Sequence, residues 1–107
     1  ADVNFRTEDN ETPLQNAARG NHPDVIRELV AANADVNSRE IDQWTPLMMA
    51  SRTGNLAAVE TLLCLGADVD AVDNEGNAAS WHARIFRHFD VSDMIEKGCP
   101  SSEGKQN

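Results

Sequence analysis

The chain has 107 residues, enough for one small domain, and 40% of them are hydrophobic, which is enough for a folded core. Its 18 acidic and 9 basic residues give a net charge of -9, which argues against nucleic acid and anionic lipid as partners, since both require dense Lys and Arg. No apolar run approaches the ~20 residues that span a bilayer, so we expect no membrane partner.

The two cysteines, Cys64 and Cys99, are too few for a disulfide framework, and no Cys-x-x-Cys pair exists. The simplest interpretation is a reduced intracellular setting, cytoplasmic or nuclear. We expect Cys64 to be a structural thiol, because it falls near a helix C-terminus, where the helix dipole disfavours the thiolate.

The sequence repeats itself at a step of 33 residues. Thr12-Pro13-Leu14 recurs as Thr45-Pro46-Leu47, and Ala34-Asp35-Val36-Asn37 recurs as Ala67-Asp68-Val69-Asp70. The chain opens on the same closing pattern, Ala1-Asp2-Val3-Asn4, which indicates that it begins in the end of an earlier repeat of a longer protein.

A third step along the chain is weaker. Ala83 and Val91 keep their repeat positions, but the Thr-Pro-Leu has become Ala78-Ala79-Ser80. The predicted organisation is the end of a preceding repeat over 1–6, full repeats over 7–39 and 40–72, a degenerate C-terminal capping repeat over 73–98, and a flexible tail over 99–107. A terminal repeat has no neighbour on its outer side, so its polar residues should form the cap. They are His82, Arg84, Arg87, His88, Asp90 and Asp93.

Each full unit predicts a first helix with clear boundaries. Thr12 and Thr45 are expected as N-caps, because a hydroxyl can accept an unpaired helix N–H. A proline follows each threonine, at the first helical position, where the missing N–H costs nothing. These helices should end near Asn21 and Gly54, two residue types that tolerate a left-handed backbone.

The second helix of each unit is predicted from apolar spacing. In the 7–39 unit it opens at Pro23, and it should end at Asn33, as its equivalent ends at Gly66. The apolar residues expected to be buried are Val25, Ile26, Leu29 and Val30. One unit cannot bury such a face alone, so the units must stack side by side.

With this period, the Thr-Pro-Leu opening and the closing Gly66-Ala67-Asp68-Val69-Asp70, the chain resembles the ankyrin repeat family over about residues 1–98. The resemblance implies an all-α repeat solenoid of stacked helix-turn-helix ankyrin units with β-hairpin-like loops. At the family's usual His after Thr-Pro-Leu the sequence has Gln15, Met48 and Trp81, so the resemblance does not carry the usual hydrogen bond over to this position.

The resemblance also implies where a partner binds, because ankyrin proteins usually meet their partners with the hairpin tips and the inner face of the first helices. Carried over by the 33-residue step, the candidate protein-binding residues at the tips are Arg6, Glu8, Asp9, Glu11, Arg39, Ile41, Asp42, Trp44, Asn74, Glu75 and Asn77. On the inner helices they are Arg19, Met48, Arg52, Thr53 and Ile85.

Trp44 is the leading candidate of this set. A large apolar side chain at a hairpin tip, where polar residues cost nothing, indicates a contact with a partner, and Trp is enriched at interface hot spots. In that case Trp44→Ala weakens binding by roughly 2 kcal/mol and leaves the fold intact. The alternative is that Trp44 folds back across the adjacent unit.

Four of the nine basic residues fall on the same surface. Arg6 and Arg39 share one repeat position, and Arg19 and Arg52 share another. This row could receive carboxylates of a partner, with bidentate geometry favouring Arg. It could instead pair with acidic residues of the chain itself, where an exposed pair contributes only about 0–1 kcal/mol.

Two pairs of apolar residues near this surface each have two possible interpretations. Met48 and Met49 either adapt to a partner or belong partly to the core. Ile85 and Phe86 either extend the binding surface or pack within the cap.

The sequence offers no motif for catalysis. Its histidines have poor metal-ligand spacing, and it lacks a Gly-rich phosphate loop and a Gly-x-Ser-x-Gly. We therefore expect no enzyme, no cofactor, no metal and no small-molecule substrate. Asn37 lies in a pattern that resembles ankyrin units modified by asparaginyl hydroxylases, although Asp-Val-Asn is also simply a common way to close a unit.

These features together predict a protein-protein interaction module, monomeric alone, that binds a peptide or folded protein along its concave groove and hairpin tips. The alternative is a structural spacer or intramolecular brace within a larger multidomain protein whose binding surface lies upstream.

Overall fold

The structure is a computed structural model that describes residues 12–40 and 42–99. These residues form six α-helices in three consecutive pairs: α1 Pro13–Arg19, α2 Pro23–Ala31, α3 Pro46–Thr53, α4 Leu56–Cys64, α5 Ala79–Ile85 and α6 Phe89–Lys97. Within those two ranges there is no strand, and the loop before α5 closes as a hairpin through an antiparallel bridge between Val72 and Ala78. The all-helical repeat stack predicted from the 33-residue step is confirmed.

The first helices of the two full units begin as predicted. The hydroxyl of Thr12 accepts a hydrogen bond from the backbone N–H of Gln15 at 3.3 Å, and that of Thr45 accepts one from Met48 at 3.2 Å. Each caps a helix whose first residue is proline. α5 follows Ala78, which has no side-chain acceptor, so the capping hydroxyl is lost in the last pair.

Gln15, at the position of the family's usual His, makes three hydrogen bonds with its side chain. Its side-chain amide donates to the carbonyls of Ser38 at 2.9 Å and Trp44 at 3.1 Å, and its carbonyl oxygen accepts from the N–H of Thr12. Because Gln carries both a donor and an acceptor, one side chain completes the cap of α1 and joins that helix to the next hairpin.

The helix ends adopt the left-handed backbone predicted for them, with φ of 61° at Asn21, 75° at Gly54, 79° at Asn33 and 96° at Gly66. At Gly54 there is a second reason for glycine. A Cβ there would lie 2.6 Å from Nδ1 of His88, closer than atoms can approach.

The helices pack as two rows. α1, α3 and α5 follow one another on the inner side, while α2, α4 and α6 form the outer row against them. The core between the rows includes Leu14, Ile26, Leu47 and Leu62, all essentially buried. Val25 is an exception to the predicted core, since it is 43% exposed. It lies at the edge of the apolar face of α2, where Ile26 takes the central position.

Neighbouring units are held in register by one repeated position. The side-chain amide of Asn55 donates to the carbonyls of Ala18 and Arg19 at the end of α1, at 3.1 and 2.9 Å. His88, one repeat later, donates from Nε2 to the carbonyl of Arg52 near the end of α3, at 3.1 Å. These bonds use carbonyls that the end of a helix leaves without an intrahelical partner.

The two cysteines correct the sequence-based interpretation, because Cys64 and Cys99 are joined in a disulfide across 35 residues of chain. Cys64 ends α4 and Cys99 follows α6, so the bond ties the end of the last helix to the pair before it. The expectation of a structural thiol at Cys64 is therefore wrong. The count of two cysteines could not reveal their pairing, which depends on how α6 packs against α4.

The end of the stack departs from the predicted polar cap at His82, which is 1% exposed. The other polar cap residues are exposed or half-buried: Arg84, Arg87, His88, Asp90 and Asp93. Large apolar side chains are exposed beside them, with Ile85 47% and Phe89 59% exposed. In α5, Trp81 lies 33 residues after Met48, which is fully buried between units. Trp81 itself is 39% exposed.

Candidate functional site

An open cavity of about 230 Å³ lies where two hairpin tips meet the inner helices. We call it the Trp44–Trp81 cavity. Its lining residues come from the loops before α3 and α5 and from those two helices: Asp42, Trp44, Arg52, Asp73, Asn74, Glu75, Trp81 and His82. It therefore belongs to the face on which the ankyrin resemblance placed partner binding.

Each hairpin tip is shaped by one buried carboxylate. Glu40 accepts hydrogen bonds from the backbone N–H groups of Asp42 and Trp44. One repeat later, Asp73 accepts from those of Glu75 and Asn77, both at 2.9 Å. Backbone N–H groups that a tight turn leaves unpaired are thereby satisfied, and the tips hold a fixed shape.

The two tips lie side by side. The N–H of Asn74 donates to the carbonyl of Asp42 at 3.2 Å. Arg39, just before the first tip, donates from its guanidinium to the carbonyl of Val72 in the second hairpin at 2.6 Å. The exposed side chains of Asp42 and Glu75 are consequently carried by tips that are bonded to each other.

A buried Asp73–His82 pair forms the floor of the cavity, with Oδ2 of Asp73 2.9 Å from Nε2 of His82. Burial raises the pKa of Asp73, but hydrogen bonds from the N–H groups of Asn77 and Glu75 and from His82 outweigh it and lower that pKa overall. Burial lowers the pKa of His82, and the Asp73 carboxylate opposes that only in part. The pair is therefore a carboxylate and a neutral imidazole at pH 7.

The Asp73 carboxylate decides which nitrogen of His82 carries the proton. An ionised carboxylate only accepts, so Nε2 holds the hydrogen and Nδ1 is an acceptor. Nδ1 lies 3.4 Å from Nη1 of Arg52, which donates to it. The chain of bonds from Asp73 through His82 to Arg52 thus orients a cation at the cavity wall.

Aromatic rings hold the same guanidinium in place. The Arg52 Cζ lies 4.3 Å from the ring centroid of Trp44 and 4.7 Å from that of Phe86, so the group is sandwiched between two rings. His82 packs edge-on against both tryptophans, with centroid distances of 5.5 Å to Trp44 and 5.0 Å to Trp81.

Trp44 is not a free side chain at a loop tip. It is half-buried and packs against the hydrophobic core, and its carbonyl accepts from Gln15. The ring contacts Arg52 of its own unit and His82 of the next, in line with the alternative in which Trp44 folds back across the adjacent unit. It still lines the cavity, but the expectation that Trp44→Ala leaves the fold intact does not suit a ring with these contacts.

The described arginines of the candidate row contact the chain itself. Arg19 donates to the side chain of Asn16, Arg39 to the Val72 carbonyl and Arg52 to His82. Pairing of this row with acidic residues of the chain stays a prediction. Whether a partner also meets these arginines stays a prediction.

Burial separates the four apolar residues that had two interpretations. Met48 is 0% and Met49 3% exposed, so both belong to the core. Met48 is therefore not part of the binding surface. Ile85 and Phe86 are exposed rather than packed within the cap, and Phe86 lies against Arg52 at the cavity side. Thr53, also a candidate, is exposed, and its hydroxyl donates to the carbonyls of α3.

The structure gives the positions of other candidate residues, whose role in binding stays a prediction. Asn74 and Glu75 are exposed at the second tip, and Asn77 is half-buried at its base. Asn37 accepts from the N–H of Asp68 in the next unit at 2.8 Å, and its hydroxylation stays a prediction. The remaining candidates lie outside the described residues: Arg6, Glu8, Asp9, Glu11 and Ile41.

The sequence reasoning overlooked the Asp73–His82 pair. Glu40 and Asp73 are 33 residues apart, so the repeat step itself could have identified a carboxylate at the base of each hairpin. His82 carried no such indication, since the equivalent positions hold Asn16 and Met49.

A stack of paired helices with hairpin tips along one face defines a helical repeat protein. The chain belongs to the ankyrin repeat family: the family's model of ankyrin repeats in three copies matches residues 1–73. A comparison with curated proteins found no match. Ankyrin repeats are generally protein-interaction modules and are typically non-enzymatic. No helix in the described part of the chain has the length and apolarity to cross a membrane.

Proposed function

We propose that the chain is a protein-interaction module whose binding site is the Trp44–Trp81 cavity together with the adjacent hairpin tips. The observation that carries the proposal is the exposure of Trp81 beside a cavity with a preformed wall. Trp and Arg are the residue types most enriched among interface hot spots, and here Trp44, Arg52 and Trp81 lie around one cavity.

Preorganisation supports this location. Arg52 is held by two rings and by His82, and each hairpin tip is held by its buried carboxylate. A partner that docks here therefore orders few side chains of this chain, which lowers the entropic cost of binding.

The test is the substitution Trp81→Ala, which removes a partly exposed ring of the cavity. We expect it to weaken binding of the true partner about 30-fold or more, the loss typical of a hot-spot residue. Partners captured by the wild-type chain would be identified by mass spectrometry and their affinities measured by titration calorimetry.

The control is Phe89→Ala, which removes a more exposed ring from the start of α6, outside the cavity lining. It should bind as the wild type does. Equal affinities of the wild-type and Trp81→Ala chains would remove the cavity from the site.

A structural brace is the second candidate, favoured by the exposed Ile85 and Phe89 at the end of the stack. Large apolar side chains in water are characteristic of surfaces that another element covers. If a neighbouring domain of a longer protein is that element, Phe89→Ala weakens its docking and Trp81→Ala does so too. Sensitivity to Trp81→Ala alone favours the interaction module.

A further inference from the structure

We infer that the Trp44–Trp81 cavity receives the side chain of a Lys or Arg from an extended basic segment of the partner. This inference rests on the proposed function and names the chemistry of its ligand. Four features support it: the free carboxylates at the rim, the uncovered face of Trp81, the size of the cavity and its charge.

The rim carries two carboxylates that are free to accept. Asp42 and Glu75 are exposed, and their side-chain oxygens accept no hydrogen bond from any residue that the structure describes. Asp73 differs, because both of its oxygens are occupied by His82 and by backbone N–H groups. The bond between the two tips brings Asp42 and Glu75 to the same opening, where a cation can meet both.

Trp81 supplies the aromatic surface for such a side chain. Arg52 lies over Trp44 and Phe86, and over 12–40 and 42–99 no other cation lies over an aromatic ring. The indole of Trp81 touches His82 edge-on, lines the cavity and is 39% exposed. Long cationic side chains bury their methylene stems on such surfaces and place the charged head over or beside the ring.

The size of the cavity favours one side chain over a small-molecule ligand. Sites for small molecules commonly measure about 300–1,000 Å³ and enclose most of the ligand, whereas this cavity measures about 230 Å³ and opens onto the groove. A residue of an extended segment can enter it while the backbone of that segment runs along the tips.

The charges of the cavity lining and of the whole chain favour a positively charged ligand. Three carboxylates and one guanidinium line the cavity, and the whole chain has a net charge of -9. An acidic side chain that approached Arg52 would also approach Asp42, Asp73 and Glu75. A basic side chain meets Arg52 as a like charge, but that guanidinium is already directed toward His82 and toward the rings of Trp44 and Phe86. Complementary potential thus selects a basic segment.

The experiment uses the full chain and a synthetic peptide library in which the central residue is fixed as Lys, Arg, Glu or Leu and the flanking positions are random. Peptides retained by the chain are then titrated one by one. Both tryptophans line the cavity and the chain has no tyrosine, so intrinsic fluorescence reports on this site. We expect the Lys and Arg libraries to be enriched, with binding that weakens as salt is raised.

The variant Asp42→Asn/Glu75→Gln should weaken the selected basic peptides about tenfold, because it removes both free carboxylates and keeps the shape of the rim. The matched control is Glu28→Gln/Asp93→Asn. It changes the net charge by the same amount at two exposed positions outside the cavity, and it should bind as the wild type does.

Each other outcome overturns the inference in a recognisable way. An equal loss in both double variants would mean that the overall charge, and not the rim, attracts the peptide. Selection of Glu or Leu peptides that still require Trp81 would overturn the basic ligand and leave the proposed function standing. If no selected peptide of any class depends on Trp81, the proposed function fails as well.

Discussion

His82 lies between the indoles of Trp44 and Trp81, with Asp73 on one nitrogen and Arg52 on the other. Its burial keeps it neutral, and only the neutral ring can donate to Asp73 and accept from Arg52 at the same time. Protonation of Nδ1 would remove the bond to Arg52 and place two like charges together. The residue therefore links the stability of the fold to the geometry of the cavity wall.

This link gives a pH dependence with a definite sign. Burial lowers the pKa of His82, so the unfolded chain takes up its proton at a higher pH than the folded one. The stability that His82 contributes is present above its ordinary pKa of 6.5 and is lost as the pH falls from there toward the lower pKa of the folded state. The groups around it are Asp73 and Glu75 of the hairpin and Arg52 of α3.

The measurement is urea unfolding at a series of pH values between 7.5 and 5, compared with His82→Gln. A glutamine can still donate to Asp73 but does not titrate, so its stability should depend less on pH in this range. His22 and His88 are common to both chains and cancel in the comparison. Parallel pH profiles of the two chains would exclude this role of His82.

Trp44 carries a prediction about stability. Because its ring packs against the core and under Arg52, Trp44→Ala should lower the free energy of unfolding by about 2 kcal/mol, part of the loss expected for a fully buried aromatic residue. Phe89→Ala, at an exposed ring, should change it by no more than about 0.5 kcal/mol. Chemical unfolding followed by far-UV circular dichroism measures both, and equal effects would contradict the packing described for Trp44.

Helix boundaries are the elements that the sequence predicted best. The caps at Thr12 and Thr45 and the left-handed ends at Asn21 and Gly54 depend on residues within one turn, so local chemistry determines them. What depends on contacts between helices was harder to foresee. Met48, placed on the binding surface by analogy of position, is buried because the next unit covers it.

The turn after α3 gives a test of how units interlock. Gly54→Ala should destabilise the fold by more than Gly66→Ala, although both residues have a left-handed backbone. At Gly66 a Cβ meets nothing within 4 Å, so alanine there incurs only the conformational cost of about 1–2 kcal/mol. At Gly54 the Cβ also collides with the His88 ring, which bonds the Arg52 carbonyl.

Urea unfolding of the two alanine variants measures the difference. His88→Ala removes the ring that the Cβ would meet, so Gly54→Ala should cost less in that background than in the wild type. Equal costs for Gly54→Ala in both backgrounds would show that His88 does not approach this turn.

The disulfide is the largest departure from the sequence-based expectations, and it also makes a prediction. A bond between Cys64 and Cys99 closes a long segment of chain, which restricts the unfolded state and stabilises the fold by about 3–4 kcal/mol on the chain-entropy account. Reduction with a phosphine should lower the free energy of unfolding by about that amount. The Cys64→Ser/Cys99→Ser chain should show no response to the reductant, and an unchanged wild-type chain would indicate that the bond does not form.

At the scale of the whole molecule, the prediction of the fold came from the sequence repeat. The 33-residue step identified the class of fold, the stacking of units and the face that contains the hairpin tips. It could not identify the cavity, because three of the side chains that form it occur in one unit only: Trp44, Trp81 and His82 are not repeated residue types at their positions. Fold follows from what the repeats share, and the candidate site follows from how they diverge.

The overall charge belongs to this scale as well. A surface with a net charge of -9 attracts basic partners over distances up to about the Debye length, roughly 8–10 Å at moderate salt. The rim carboxylates of Asp42 and Glu75 then contribute to binding only after the partner has reached the cavity. Salt should therefore slow association of a basic partner more than it speeds dissociation.

The central claim is that a protein partner docks on the Trp44–Trp81 cavity. Nuclear magnetic resonance of the ¹⁵N-labelled chain, titrated with a partner that the wild-type chain captures, tests this most directly, because the two tryptophans give two indole N–H signals that both arise from the cavity. The account predicts that both indole signals and the backbone amides of Asp42 and Glu75 shift on binding, while those of α2 and α4 do not. Saturating binding that shifts only the outer helices and leaves both indoles unchanged would contradict it.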